Sequence, residues 1–270
     1  MIDYTLCRIV AGDLPPRDQP GGRLRVLRFI LRHEPPLSAA RKLWVVNYIH
    51  HAGQREETIG ELRRAGVDHA VLSFDAECYR QATDRRQRLC RALNVNGARN
   101  AALDLMLRKP SAGATRFMLP LDGECFFTAD AWNEFRDEVE RDQARQPGRQ
   151  YYSLPMFRAA CDRAAIGAAD VATMTPEEPQ IAFRHDAAAR FDESLPWGQR
   201  TKLALLRQLG HVQGPGPSEY HPRRRCCRAA GYVFHLATCA EQTDGHLHSR
   251  AVLREKAATR LLAKLAERHR

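Results

Sequence analysis

The feature that most constrains this chain is the alternation of two hydrophobic periods through its first half. YTLCRIV (4–10) is a nearly continuous apolar run, as expected of a parallel strand buried on both faces. LRVLRFILRH (24–33) instead places apolar residues at 24, 26, 27, 30 and 31, a helical spacing. KLWVVNYI (42–49) returns to the strand pattern, REETIGELRRAG (55–66) reads as a helix stopped by Gly66, and VDHAVLSF (67–74) is a third strand. A long helical stretch over 76–108 precedes TRFMLPLDGECFF (115–127), a strand that breaks into a turn at Asp122-Gly123. This order predicts an α/β fold built on a mixed, mostly parallel sheet flanked by helices. Ligands of such sheets sit off the carboxyl ends of the strands.

The pattern changes after Thr128. A helix over 129–145 leads to strands at 151–159 and 180–186, a helix over 196–210 and a strand at 231–238. The last twenty residues form a basic amphipathic helix with Leu253, Ala257, Leu261 and Leu265 on its apolar side. No internal repeat and no clear linker divides the chain. A single domain over 1–270, in halves 1–128 and 129–270, is expected, and the length is ample for a buried core.

No stretch is apolar enough for a membrane span, and the first residues carry no basic and apolar leader, so a cytoplasmic protein is expected. Lys and Arg number 42 against 32 Asp and Glu, a net charge of +10. Such a balance fits a nucleic-acid or anionic-membrane surface, or an arginine-rich composition with no specific partner. The basic residues are spread along the chain, with their densest cluster at Arg223-Arg224-Arg225. Eight cysteines show no CxxC and no zinc-ligand spacing, so reduced thiols are expected.

The chemistry-bearing segment is Asp122-Gly123-Glu124. Two carboxylates at i and i+2, just past an apolar strand, project from a turn at its carboxyl end. Mg²⁺ and Mn²⁺ prefer carboxylate and phosphate oxygens, so this pair suits a cation shared with a diphosphate. Upstream, Arg99 supplies a planar fork suited to phosphate or carboxylate. The alternative is a solvated β-turn, which Asp-Gly favours by itself.

Ala98-Arg99-Asn100 on a helix, then an apolar strand ending in an acidic triplet with Trp132 shortly after it, resembles the inverting GT-A fold glycosyltransferases of the family-2 type. The resemblance covers residues 4–128. It implies a GT-A-like fold and metal-dependent transfer of a sugar from a nucleotide-diphosphate donor to a saccharide or lipid-linked hydroxyl, with Mn²⁺ or Mg²⁺ as cofactor. Bacterial surface-polysaccharide assembly is the setting it suggests. Carried onto this chain, Asp122 and Glu124 hold the metal, with His235 as a third ligand late in the chain. Asn96, Arg99, Asn100 and Asp122 lie against the donor nucleotide, and the end of the first strand, around Arg8 and Val10, cradles its base. For His235 the alternative is a hydrogen-bonded core histidine.

The chain also departs from the family pattern. The triplet is Asp-Gly-Glu where the family has Asp-x-Asp, Ala101-Ala102 stand where it often has a glycine, and Val10-Ala11-Gly12-Asp13 replaces its Pro-x-Tyr-Asn. Inverting transfer needs a carboxylate to take the acceptor's proton. The family carries that acid later, often in an adjacent pair, which points to Asp192 or Glu193. Their alternative is to cap and charge the first turn of the next helix. Trp197 and His185-Asp186 are further candidate sugar or phosphate contacts, against packing and an exposed strand end.

Two other classes remain open. A sugar-nucleotide nucleotidyltransferase shares the α/β nucleotide-binding half, although GDLPPRDQPGGR (12–23) lacks the glycine-rich basic loop of that class. A non-enzymatic nucleic-acid binder would account for the charge. The favoured partners are a nucleotide sugar and its acceptor, with the basic C-terminal helix offered to an anionic membrane surface and no nucleic acid.

Overall fold

In the computed structural model, which describes residues 2–15, 19–109, 115–210, 227–237 and 247–269, the alternating periods form a mixed sheet flanked by helices. Strands β1 (Ile2–Val10), β2 (Ala40–Val46), β3 (His69–Val71) and β4 (Thr115–Asp122) run parallel in the spatial order β3-β2-β1-β4. Helix α1 (Gly22–His33) connects β1 to β2, and α2 (Ala52–Arg64) connects β2 to β3. Three helices, α3 (Ala76–Arg80), α4 (Arg85–Leu93) and α5 (Val95–Leu107), lead to β4. The strand order therefore reverses between β1 and β4, the kind of position at which open α/β sheets hold their ligands, beyond the carboxyl ends of the strands.

β4 continues sideways into β7 (Glu177–Arg184), β6 (Tyr151–Ala160), β9 (Val233–Ala237) and the short β5 (Cys125–Phe126), while β8 (Cys227–Ala229) also pairs with β6. β4 meets β7 and β5 meets β9, both antiparallel, so one sheet runs across the boundary at residue 128. The remaining helices are α6 (Ala129–Arg145), α7 (Arg163–Gly167), α8 (Thr201–Gln208) and α9 (Leu247–Arg268).

β4 shows why the sheet is covered on both sides. Phe117, Leu119 and Leu121 pack with Trp132, Phe135 and Val139 of α6, whereas Met118 packs with Leu103 and Met106 of α5 and Leu203 and Leu206 of α8. Each such buried side chain contributes about 1.5–3 kcal/mol. Trp132, which follows the acidic triplet, is a core residue whose Nε1 donates to the Ser38 carbonyl at 3.0 Å.

Several expected boundaries move. The single helix over 76–108 is three, because the Asp75 and Asp84 side chains cap new N-termini and Asn94 turns left-handed at φ 47. The strand at 67–74 contracts to β3, and the helix expected from 196 starts at Thr201, after Gly198 at φ 92 and Arg200 at φ 46. β8 and α7 had no counterpart in the sequence pattern. Gly66 does follow α2 in the left-handed conformation, at φ 63. Arg223-Arg224-Arg225, Cys226 and Cys239 lie outside the described residues, and the other six cysteines are free thiols. Among the described residues, no helix is long and apolar enough to cross a membrane.

Candidate functional site

Asp122 is the last residue of β4, opposite Ile9 of β1 in the parallel register, so its side chain stands at the point where the strand order reverses. Gly123 follows because nothing larger fits: a Cβ there would lie 2.6 Å from the Ile9 carbonyl oxygen. Arg99 Nη2 donates to Asp122 Oδ1 at 2.8 Å. Lys202 Nζ at 2.7 Å and Gln180 Nε2 at 3.1 Å donate to Oδ2. Burial opposes the charge on Asp122, but the neighbouring Lys202 and Arg99 hold its carboxyl well below the usual carboxylate range. The carboxylate remains 26% exposed, whereas the Lys202 side chain is 2% exposed. Glu178 fixes that lysine by accepting the backbone N–H groups of Lys202 and Leu203, at 2.8 and 3.1 Å, at the start of α8.

One face of α5 grips the segment that carries the candidate base. Asn96 donates to the Asp192 carbonyl at 2.6 Å and accepts from Arg99, which also reaches the Thr201 hydroxyl at 2.7 Å. Asn100 Nδ2 donates to Glu193 Oε1 at 2.9 Å. Gly97 leaves room for the Asn94 side chain, whose Oδ1 lies 2.1 Å from where a Cβ would be. Asp192 is exposed, and bonds from Ser194 lower its pKa, which makes it a weak proton acceptor. Asn96, Arg99 and Asn100 thus brace Asp122 and the Asp192-Glu193 segment.

Beside this cluster lies a cavity of about 700 Å³ beyond the carboxyl ends of β1 and β2. Gly12, Asp13, Leu24, Tyr48, His50 and Val95 line part of it, and α9 forms the opposite wall. Ala257, Leu261 and Leu265 of α9 are buried, with Leu261 and Leu265 packed alongside Tyr79 and Ala92. Arg260, Lys264 and Arg268, one residue round at spacing i, i+4, i+8, border the cavity. The apolar side of this helix is therefore part of the core and is not free to enter a membrane surface. Arg23 joins cavity and cluster: its N–H donates to Asp13 at 3.0 Å and its guanidinium pairs with Glu124 at 2.5 Å.

Two expected donor contacts lie elsewhere. Arg8 is fully buried, donating to the Cys125 carbonyl at 2.8 Å, pairing with Glu34 and lying over the Trp44 ring. Val10 packs among Leu24, Leu27 and Trp44, and its carbonyl accepts from Asn47. Both belong to the floor of the fold, because this face of β1 is covered by neighbouring side chains up to its last residue. His185 and Asp186 serve the end of β7, where Asp186 pairs with Arg184 at 2.6 Å. Trp197 borders the cavity beneath Arg254.

The three expected metal ligands are engaged by separate sets of partners. Asp122 holds Arg99 and Lys202, Glu124 holds Arg23, and His235 Nδ1 lies 2.7 Å from Glu177 Oε2. Among the described residues, no three His, Cys, Asp or Glu side chains converge as a metal site. A divalent cation on Asp122 would face a fixed ammonium and a guanidinium. Two unit charges about 4 Å apart repel by about 4 kcal/mol at an effective dielectric constant of about 20, and a doubly charged ion doubles that. Displacing Lys202 instead would strand a buried ammonium. The residues present do not fit a resident Mg²⁺ or Mn²⁺.

Lys202, Gln180 and Arg23 were not legible as site residues. The one available signal was a lone lysine inside the apolar run TKLALL. The basic stripe of α9 was visible, but its direction was not.

No protein-family model matches the chain, and no curated protein matches it. Among solved structures, the fold is similar to S. aureus TarS at 12% identity and TM-score 0.41, over 99% of this chain and 43% of that one. The chain thus spans less than half of that TarS chain. TarS 1-349 in complex with UDP gives 12% identity and TM-score 0.42, over 99% and 71%. A 4-diphosphocytidyl-2C-methyl-D-erythritol synthase gives 15% and 0.38, over 94% and 98%. Mouse xyloside xylosyltransferase 1 gives 11% and 0.33, over 82% and 77%.

Proposed function

We propose that this chain is a GT-A-type glycosyltransferase that moves a sugar from a nucleoside-diphosphate donor to a hydroxyl of a saccharide or lipid-linked acceptor. The observation that carries the reading is the cavity beyond the carboxyl ends of β1 and β2, large enough for a nucleotide, bordered by three cationic side chains and lying beside the charged cluster centred on Asp122. Tyr48, Val95 and Leu265 offer apolar surface to a base and ribose, and Arg260 and Lys264 offer charge to phosphates.

In this reading the acceptor oxygen attacks the anomeric carbon as the bond from that carbon to the diphosphate oxygen breaks. Glu193 takes the acceptor's proton, since one of its oxygens is already oriented by Asn100, whereas bonds from Ser194 lower the pKa of the Asp192 carboxyl. Cationic side chains meet the charge that develops on the leaving diphosphate. The test is a screen of nucleotide sugars with saccharide acceptors, comparing the wild type with Glu193→Gln. Loss of transfer with nucleotide binding retained supports the reading. Pyrophosphate release from a nucleoside triphosphate and a sugar phosphate would replace it with sugar-nucleotide synthesis.

A further inference from the structure

The carboxylates that resemble metal ligands are already neutralised from within the chain. Asp122 sits between Lys202 and Arg99, and Glu124 is paired with Arg23. None of these cations is a loose surface group. Lys202 is 2% exposed and fixed through Glu178, the Arg99 side chain is 7% exposed and tied to Asn96 and Thr201, and Arg23 is 14% exposed. The same Arg23 has its backbone N–H held by Asp13, which lines the cavity, so this compensated cluster lies beside that cavity.

On the nucleotide-binding reading above, we infer that the site accepts a nucleoside diphosphate without a divalent cation, the charge of the metal being supplied by Lys202, Arg99 and Arg23. A diphosphate approaching Asp122 meets a compensated carboxylate, and no bare anion has to be bridged by an ion. Arg99 and Lys202 also cannot be set aside to admit a cation, because each would lose its buried counter-charge.

The experiment is calorimetric titration of UDP, ADP, GDP and CDP into the EDTA-stripped chain, repeated with excess Mg²⁺ and with excess Mn²⁺. The expected result is one nucleotide whose Kd agrees within about twofold across the three conditions. Mn²⁺ titrated alone and followed by electron paramagnetic resonance should show no stoichiometric site. Lys202→Met should weaken nucleotide binding in EDTA by about tenfold or more and make it respond to Mn²⁺. Lys202→Arg, which keeps the charge, should retain the metal independence and controls for folding. Binding of a nucleotide only when metal is present overturns this inference and leaves the proposed function standing. Binding of no nucleoside diphosphate under any condition overturns both.

Discussion

Asn100 holds Phe191 by both ends of one amide: its Nδ2 donates to the Phe191 carbonyl at 3.0 Å and its Oδ1 accepts the Phe191 N–H at 2.9 Å. Asn100→Ala leaves a donor and an acceptor of a buried residue without their partners. A stability loss of about 2 kcal/mol is expected, read as a lower urea midpoint at unchanged slope. Turnover should fall further than stability requires, because Glu193 loses the same amide. Unchanged turnover would separate Glu193 from the chemistry.

Glu34 is the shared counter-ion of Arg8 and Lys42, and it also accepts the Phe127 N–H at 3.1 Å. Glu34→Ala strands Arg8 in the core and should cost about 3–5 kcal/mol. Arg8→Met with Glu34→Gln together should cost much less and leave nucleotide affinity as it was. A specific loss of affinity in that double variant, with the fold intact by circular dichroism, would return Arg8 to the donor site.

Arg260 and Lys264 are exposed on the cavity wall, so reversing their charge should be tolerated by the fold. Arg260→Glu with Lys264→Glu should weaken nucleotide binding by at least about tenfold at low ionic strength. The difference should shrink as salt is added, as expected of charges met by solvent. Equal affinities for variant and wild type would remove α9 from the binding surface.

Burial would raise the carboxyl of Glu177, but the hydrogen bond and charge of His235, with Arg158, hold it down at about 2, against 4.5 in the absence of structure. Between those values the unfolded chain binds more protons than the folded one. The contribution of Glu177 is therefore complete above 4.5 and disappears as pH falls toward 2. Unfolding free energies from urea titrations should drop more steeply with acidification in the wild type than in Glu177→Gln, by a few kcal/mol over the range. Parallel curves would show that the pair adds nothing.

Much of the first half was legible in the sequence. YTLCRIV, KLWVVNYI and TRFMLPLD are buried on both faces, and the spacing of LRVLRFILRH matches the α1 residues that pack on Trp44 and Val46. The position of Asp122 at a strand end could be read from the apolar run before it. What occupies its oxygens could not, because Gln180 and Lys202 arrive from β7 and α8, tens of residues later. Arg8 shows the same limit. A charged residue in a strand looks like a site until its partner, Glu34, is found on the far side of α1. The basic C-terminal helix has a pattern that fits a membrane surface equally well, and only the packing of Leu261 and Leu265 beside Tyr79 and Ala92 decides its direction.

The wall that α9 gives the cavity joins two stretches remote in sequence, residues 11–54 and 257–268. A molecule filling the space touches both and acts as a non-covalent cross-link closing a very long loop. Its binding energy is then felt by the cooperative unfolding of the fold, beyond the local breathing of one rim. Occupancy should accordingly protect the amides of β1 and of α9 together in hydrogen exchange, because neither stretch can leave without releasing what lies between them.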